Sequence, residues 1–392
     1  MGGFEQNSLV EKARRRRRTR EMVLVLLLLL LVAVFPGKIH ARRPVENGSS
    51  SGRSVSALFV LGDSSVDCGD NTLFYPLLRR NLSLHPCNGS DTTLLPHLLA
   101  KKMGLPYTPA FYAQNGTIEG LLAGLNFGSA QATIMNINSQ NHQSLDQQVR
   151  QAFETFQLLQ LHLGQDYAYR FIKSSFFYLS FGKDDYINLL FRNPFGVRRD
   201  YGDRRFAHIM VNQMANVVRN LYNVNVRKIV CMGTLPLGCT PRMVWKWYNF
   251  TGGDDDGRGC VEGINQLVLD YNTLLEGRIA ELNMEFPDAQ IVFCDVYQGI
   301  MQILSNPKFY GFENARSACC GLGWYGGMSG CASMEMACPQ ASTHVWWDFY
   351  NPSQAVNSLL ADSAWSGQPL TDICRPSTVR EMVSTAGASF LM

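Results

Sequence analysis

The sequence predicts an α/β protein, a three-layer α/β/α sandwich around a mostly parallel sheet. Four short apolar runs, each bounded by Gly, Pro or Asp, are typical of buried strands: Ala57–Leu61, Phe176–Phe181, Lys228–Met232 and Gln290–Phe293. Apolar residues at helical spacing predict helices between them: Leu145–Leu163, Phe206–Leu221 and Val261–Leu282. Strand alternating with helix favours βαβ units, whose chemistry lies at the carboxyl ends of the strands.

The first 41 residues are predicted to be a signal peptide. A basic run from Arg14 to Arg18 precedes an apolar run from Met22 to Phe35. That run is shorter than the roughly 20 residues of a transmembrane helix, and the small Ala41 suits a cleavage point. A signal anchor is the alternative, because the basic region is long. We expect residues 42–55 to be a flexible segment and residues 56–392 to form a single domain without a stable membrane span.

The charge of the chain excludes nucleic acid as an expected partner. Residues 1–41 carry eight basic and three acidic residues, a balance of +5, whereas the whole chain carries +3. The remainder from Arg42 onward is therefore −2, so the basic character belongs to the targeting segment.

Glycosylation sequons and cysteines agree with secretion. Five acceptor sequons begin at Asn47, Asn81, Asn88, Asn115 and Asn249. The eleven cysteines predict several disulfides in an oxidising compartment, and the odd count leaves at least one free thiol. The stretch from Cys319 to Cys338 is predicted to be a stapled loop, although spacing alone does not assign the pairing. Irregular spacings without a nearby His pair lead us to expect no metal.

The predicted strand that ends at Leu61 is followed directly by Gly62, Asp63 and Ser64. A glycine permits a tight turn, and a small hydroxyl residue beside it lies exposed at the edge of the sheet, which is how many serine hydrolases present a nucleophile. An ordinary Ser- and Asp-rich turn is the alternative interpretation. Further along, Gly124–Ala130 is predicted to be a small-residue turn that can aim a backbone N–H at a ligand.

These pieces, in this order, resemble the plant GDSL esterase/lipase family within the SGNH hydrolases, from about Leu58 to about Asn357. The matching blocks are Gly62–Ser64, Gly124–Ala130, Gly182–Tyr186, Leu235–Cys239, Cys319–Gly321 and Asp348–Pro352. The resemblance implies an SGNH-hydrolase-like fold and hydrolysis of small-molecule or polymer-bound acyl esters without a cofactor. It also implies Ser64 as nucleophile, Asp348 as the triad acid, and an oxyanion hole built from Ser64, Gly128, Ala130 and residue 184.

Two positions depart from the family pattern. Where the family has its catalytic His, this chain has Asn351, and where the family has its oxyanion-hole Asn, this chain has Asp184. Asn cannot accept and return a proton near neutral pH, and a carboxylate opposes a developing oxyanion. Loss of a triad member typically leaves only about 10³–10⁴-fold catalysis over water.

Three interpretations of these departures stay open. Another His could replace the lost one, with His85, His97, His142 and His344 as candidates, or Asp348 could act as a weak base. Alternatively, the cleft has kept the binding of a glycan or acyl ligand and lost hydrolysis; a purely structural wall protein has less support. For Trp245, Trp247, Tyr248 and Trp324, core packing is favoured over a role in lining the cleft.

Overall fold

The computed structural model describes residues 55–68, 94–135, 143–192, 204–250 and 259–384. It contains the strands β1 (Leu58–Gly62), β2 (Gly124–Asn126), β3 (Phe176–Ser180), β4 (Lys228–Met232), β5 (Gln290–Cys294), β6 (Asn314–Ala318), β7 (His344–Trp346) and β8 (Cys374–Arg375). The helices are α1 (Leu95–Lys102), α2 (Ile118–Leu122), α3 (Leu145–Leu163), α4 (Gln165–Ser174), α5 (Lys183–Arg192), α6 (Arg205–Asn223), α7 (Pro241–Phe250), α8 (Glu262–Glu285), α9 (Val296–Ser305), α10 (Gln354–Ser366) and α11 (Val379–Ser384). All described residues belong to one compact unit.

Six strands form the main sheet in the order β2-β1-β3-β4-β5-β8. The pairs from β2 through β5 are parallel, and β8 closes the far edge in the antiparallel direction. All five residues of β1, β3 and β4 are buried although their side chains alternate between the two faces. Helices must therefore cover both faces, as parallel sheets require. The predicted α/β/α sandwich is confirmed.

The four predicted strands are present with bounds shifted by at most one residue, and the three predicted helices are α3, α6 and α8. Helix α3 spans the predicted residues because Ser144 and Gln147 form a capping box at its start, while Gly164 ends it with a left-handed φ of 83°.

The prediction that residues 124–130 form only a turn is wrong, because the first three residues are β2, paired in parallel with β1. Strand β2 is too short for periodicity to reveal it. A Cβ at Gly124 would lie 2.0 Å from the carbonyl oxygen of Leu58, so only glycine allows this close approach to β1.

A second sheet of two parallel strands, β6 and β7, lies outside the main one. Strand β7 carries the fully buried Trp346 into the hydrophobic core, and the chain then continues directly into Asp348. The second sheet therefore anchors the segment that bears the family's final block.

Disulfides tie the outer segments to this frame. The described pairs are Cys239–Cys260, Cys294–Cys374, Cys319–Cys338 and Cys320–Cys331. The last two staple the predicted loop, Cys68 is also disulfide-bonded, and Cys231 is the free cysteine of the described residues. His344 lies close to the sulfurs of Cys319 and Cys338, but those sulfurs are bonded to each other and are not thiolate ligands for a metal.

Candidate active site

Ser64 lies just past the end of β1 in a turn that buried polar groups hold rigidly. The side-chain amide of Gln148, on α3, accepts from the Gly62 N–H at 2.8 Å and donates to the Gly62 carbonyl at 2.9 Å. The carboxylate of Asp63 accepts from the N–H of Ser65 at 2.8 Å and from the N–H of Asp184 at 3.3 Å. The turn is thereby fixed on both sides of Ser64.

Gly62 is required by the same turn. A Cβ there would lie 2.5 Å from a methyl group of Val66 and 2.7 Å from the carbonyl oxygen of Ser180. The glycine at the strand exit thus reflects the close approach of β3 and of the turn to the end of β1.

Asp184, in the first turn of α5, is the direct partner of Ser64. Its Oδ1 accepts the Ser64 hydroxyl at 2.7 Å. Its Oδ2 accepts two backbone N–H groups, from Ser64 at 2.9 Å and from Gln131 at 2.8 Å. Asp184 is only 5% exposed, and the N-terminus of the helix favours its negative charge. One carboxylate therefore takes up the hydroxyl and two backbone donors that converge beside it.

The structure places the convergent loop donor at Gln131. The N–H of Gly128 donates to the side chain of Asn126 at 2.9 Å, and the N–H of Ala130 donates to Asp67 at 2.7 Å. Both N–H groups thus have side-chain partners, and the oxyanion-hole role expected for them stays a prediction. Gln131 has a left-handed φ of 65°, which turns its N–H toward Asp184.

Asp185 binds the backbone of the same loop a few residues further along the chain. Its carboxylate accepts the N–H groups of Ile134 and Met135, both at 3.0 Å. Burial raises the pKa of Asp185 to about 7, against the opposing effect of these donors. The two neighbouring aspartates of α5 thus tie the segment after β2 to the turn after β3.

Asp348 and Asn351 form a tight turn after β7. The Asp348 carboxylate accepts the N–H groups of Tyr350 at 3.0 Å and Asn351 at 2.8 Å, and the Asn351 side-chain Nδ2 at 2.9 Å. The Asn351 carbonyl accepts the N–H of Trp347 at 2.8 Å. Burial raises the pKa of Asp348, while the donors from Tyr350 and Asn351 and the charge of Lys183 lower it. Asp348 orients residue 351 as a triad acid would.

Lys183 completes the site, and sequence reasoning gave it no role. Its Nζ donates to the Asn351 Oδ1 at 2.7 Å, and the residue is only 2% exposed. One sequence signal could have identified this residue: the lysine directly follows the glycine at the end of a predicted strand. Burial, reinforced by Asp184, raises the pKa of Asp63 to about 6, and Lys183 opposes that rise.

Neither described candidate for a replacement imidazole contacts the Ser64 hydroxyl. His344 Nδ1 lies 3.2 Å from the carbonyl oxygen of Gln340, beside the disulfide loop. His97 is buried on α1 and stacks on Tyr107. His85 and His142 lie outside the described residues.

The remaining predictions concern the glycosylation sites and Trp324, and they differ in outcome. Asn115 is exposed, as a glycan acceptor must be, whereas Asn47, Asn81 and Asn88 lie outside the described residues, as does the side chain of Asn249. Core packing is wrong for Trp324, which is 63% exposed on the disulfide loop.

The predicted aromatic residues of α7 lie next to cations. Trp247 is half-buried and packs against the hydrophobic core, as predicted, and it also lies beside Lys246. Trp245 is half-buried beside Arg242, and the side chain of Tyr248 lies outside the described residues.

Ser64 lies at the carboxyl end of β1, and groups that follow β2 and β3 hold it there, which is the edge of a parallel sheet where α/β proteins place their active sites. The chain belongs to the GDSL-like lipase/acylhydrolase family, whose profile matches residues 58–364. Its class is therefore that of the carboxylic-ester hydrolases, and the predicted family is confirmed.

Plant proteins stand out among its relatives. The GDSL esterase/lipase At1g71250 of Arabidopsis thaliana is 32% identical over 330 residues, which cover 80% of this chain and 86% of the relative. The GDSL esterase/lipase At3g50400 of the same plant is 31% identical, covering 80% of this chain and 88% of the relative. A catalytic mutant of the acetylxylan esterase Axe2 from Geobacillus stearothermophilus is 13% identical, with a TM-score of 0.36 over 79% of this chain and 91% of that one.

Proposed function

We propose that this protein is a secreted, slow acyl-ester hydrolase in which Ser64 is the nucleophile and Asp184 accepts its proton. The observation that carries the proposal is the 2.7 Å hydrogen bond from the Ser64 hydroxyl to Asp184 Oδ1. A general base must lie within hydrogen-bond reach of the proton that it abstracts, and this carboxylate meets that condition. No imidazole meets it among the described residues.

The reaction is balanced with these groups alone. The Ser64 Oγ forms a bond to the acyl carbon as its proton passes to Asp184 Oδ1. The ester C–O bond then breaks, and the departing alkoxide takes that proton. In the second half, water attacks the acyl carbon and gives one proton to Asp184; the bond between the acyl carbon and Ser64 Oγ then breaks, Oγ takes that proton back from Asp184, and the free acid leaves.

Two features make this chemistry slow. A carboxylate is a weaker base than the imidazole that it replaces. Asp184 Oδ2 also takes up the N–H groups of Ser64 and Gln131, so the acyl oxygen must displace a carboxylate oxygen to reach them. Losing one oxyanion donor typically costs about 10²–10³ in rate.

Secretion and the substrate class are further parts of the proposal. The four described disulfides and the exposed Asn115 sequon support an oxidising compartment, together with the N-terminal basic and apolar runs. Among the described residues, none of the helices has the length and apolar character to cross a bilayer. The substrates would be acyl esters of lipids, wall polysaccharides or small metabolites.

The test is hydrolysis of p-nitrophenyl acetate by purified mature protein, with Ser64→Ala as the matched control. We expect a rate above that of the control and slow covalent labelling of Ser64 by a fluorophosphonate. Turnover equal to that of Ser64→Ala, without labelling, would remove the hydrolase proposal.

Binding without turnover is the second candidate function, in which the cleft holds a glycan or acyl ligand. It is favoured by the Asp184 Oδ2 contacts, because a carboxylate that keeps both backbone donors leaves none for an oxyanion. Calorimetric titration with an aryl amide isostere of the ester, combined with the absence of turnover above the Ser64→Ala control, would select this candidate.

A further inference from the structure

Lys183 is a buried cation inside the site. Its ammonium donates to Asn351 Oδ1 at 2.7 Å, and it belongs to the largest fully buried side chains of the described residues. Burying an unpaired ammonium costs far more than one hydrogen bond returns, so compensating charge must lie nearby. The charge of Lys183 lowers the pKa of Asp63 and of Asp348, against the effect of their burial.

Asn351 is held between a group that only donates and a group that only accepts. Lys183 offers N–H donors to Oδ1, whereas Asp348 Oδ2 accepts from Nδ2 at 2.9 Å. The orientation of the amide is therefore fixed by its two partners. The result is a continuous chain from Asp348 through Asn351 to Lys183.

An imidazole at position 351 would not fit this arrangement. If its Nδ1 donated to Asp348 as the Asn351 Nδ2 does, its Cδ2–H edge would take the place of Oδ1, to which the ammonium now donates at 2.7 Å. A ring carbon cannot accept that hydrogen bond, so the Lys183 ammonium occupies space that a His in this orientation would need. The two residues are complementary in size as well as in hydrogen bonding.

Asp184 and Lys183 act on the same buried carboxyl group in opposite directions. The charge of Asp184 raises the pKa of Asp63, whereas the charge of Lys183 lowers it. The cation at position 183 therefore offsets part of the cost of placing a carboxylate at position 184 next to Asp63.

We propose that Lys183 is a positioning residue that holds Asn351, and that Lys183, Asp184 and Asn351 depend on one another in a site whose proton acceptor lies at position 184 instead of position 351. This inference rests on the proposed function, in which Asp184 takes the proton of Ser64. It follows that restoring only one of the two family residues, by Asp184→Asn or by Asn351→His, should harm the site or leave it unchanged. Restoring both and removing the lysine side chain should build a faster site.

The experiment compares five variants on p-nitrophenyl acetate: Lys183→Met, Asp184→Asn, Asn351→His, the double variant D184N/N351H and the triple variant K183A/D184N/N351H. Lys183→Met keeps most of the side-chain shape while removing the charge, and we expect kcat to fall about 10-fold with KM unchanged. Asp184→Asn should lose at least about 100-fold, the usual contribution of a general base. Asn351→His should gain nothing.

The triple variant should exceed wild type at least about 100-fold and should exceed the double variant at least about 10-fold, because only the triple variant has room for the imidazole. Asp184→Asn would then be harmful in wild type and beneficial beside a His, a reversal that independent residues do not show. Ser64→Ala in the triple background controls for the nucleophile, and thermal unfolding controls for folding.

The outcomes separate the two proposals. A large gain from Asn351→His alone, an unchanged kcat in folded Lys183→Met, or a triple variant no faster than the double would each overturn the role of Lys183. Wild type no faster than Ser64→Ala would overturn the proposed function and would make the Lys183→Met comparison uninformative. In that case the triple variant alone decides the role of Lys183, which stands if the triple variant is faster than the double and falls if it is not.

Discussion

Gln148 supports the nucleophile turn from a distance of 86 residues along the chain. Its fully buried amide makes one hydrogen bond to the N–H and one to the carbonyl of Gly62, at 2.8 and 2.9 Å. In Gln148→Leu, the Gly62 N–H loses its partner while staying buried, whereas the Gly62 carbonyl keeps the hydrogen bond that the Ser129 N–H donates at 3.1 Å. One unsatisfied buried group costs about 1–3 kcal/mol, so the variant should lose about 1–3 kcal/mol of unfolding free energy.

The assay is equilibrium unfolding in guanidinium chloride, followed by tryptophan fluorescence. Gln157→Leu is the matched control, because Gln157 lies exposed on the same helix α3 and the substitution should stay within about 0.5 kcal/mol. Folded domains typically have about 5–15 kcal/mol, so Gln148→Leu should remain folded at low denaturant. It should also label with a fluorophosphonate more slowly than the control. A loss below about 1 kcal/mol, or labelling equal to that of Gln157→Leu, would refute the supporting role of Gln148.

Two further predictions concern stability. Burial lowers the pKa of His97 to about 4, below its ordinary 6.5, so its contribution is complete above pH 6.5 and is lost as the pH falls toward 4. Urea titrations should show that wild type loses about 3 kcal/mol more unfolding free energy than His97→Phe between pH 7 and pH 4. Asp63 and Asp185 titrate in both proteins, so their effects cancel in this difference. Profiles of unfolding free energy against pH that run parallel in the two proteins would contradict the effect. Replacing Cys294 and Cys374 by serine opens a link of sequence separation 80 and should cost about 4 kcal/mol in the same titrations; a loss below about 1 kcal/mol would show that β8 stays in place without the bond.

The local pattern of apolar residues was sufficient to predict the main strands and helices of the fold. The runs at Phe176 and Lys228 are apolar throughout because both of their faces are buried, and α3 shows its period because one face packs on the sheet. Strand β8 was not predictable in this way. It has two residues, and its place beside β5 depends on the pairing of Cys294 with Cys374.

For the candidate site too, local sequence motifs could be predicted, whereas contacts between residues far apart in the chain could not. Position in ordered blocks identified Ser64, Asp184, Asp348 and Asn351, but not their hydrogen-bond partners. The contact between Lys183 and Asn351 joins residues 168 positions apart, and only the folded chain brings them together. The role of Gln131 as a backbone donor to Asp184 was not predicted for another reason. That role depends on a left-handed backbone conformation, which a glutamine in the sequence does not predict.

The buried thiol of Cys231 bears on how the disulfides are preserved. It lies in the middle of the parallel sheet, and burial raises its pKa to about 12. Thiol–disulfide exchange needs a thiolate that can reach a sulfur, and this cysteine provides neither in the native state. Before β4 is enclosed, however, the same thiol can attack any cystine within reach. Closure of the central sheet therefore removes the free thiol of the described residues from disulfide exchange, so the pairing of the described cysteines becomes final with respect to Cys231 only after β4 is enclosed.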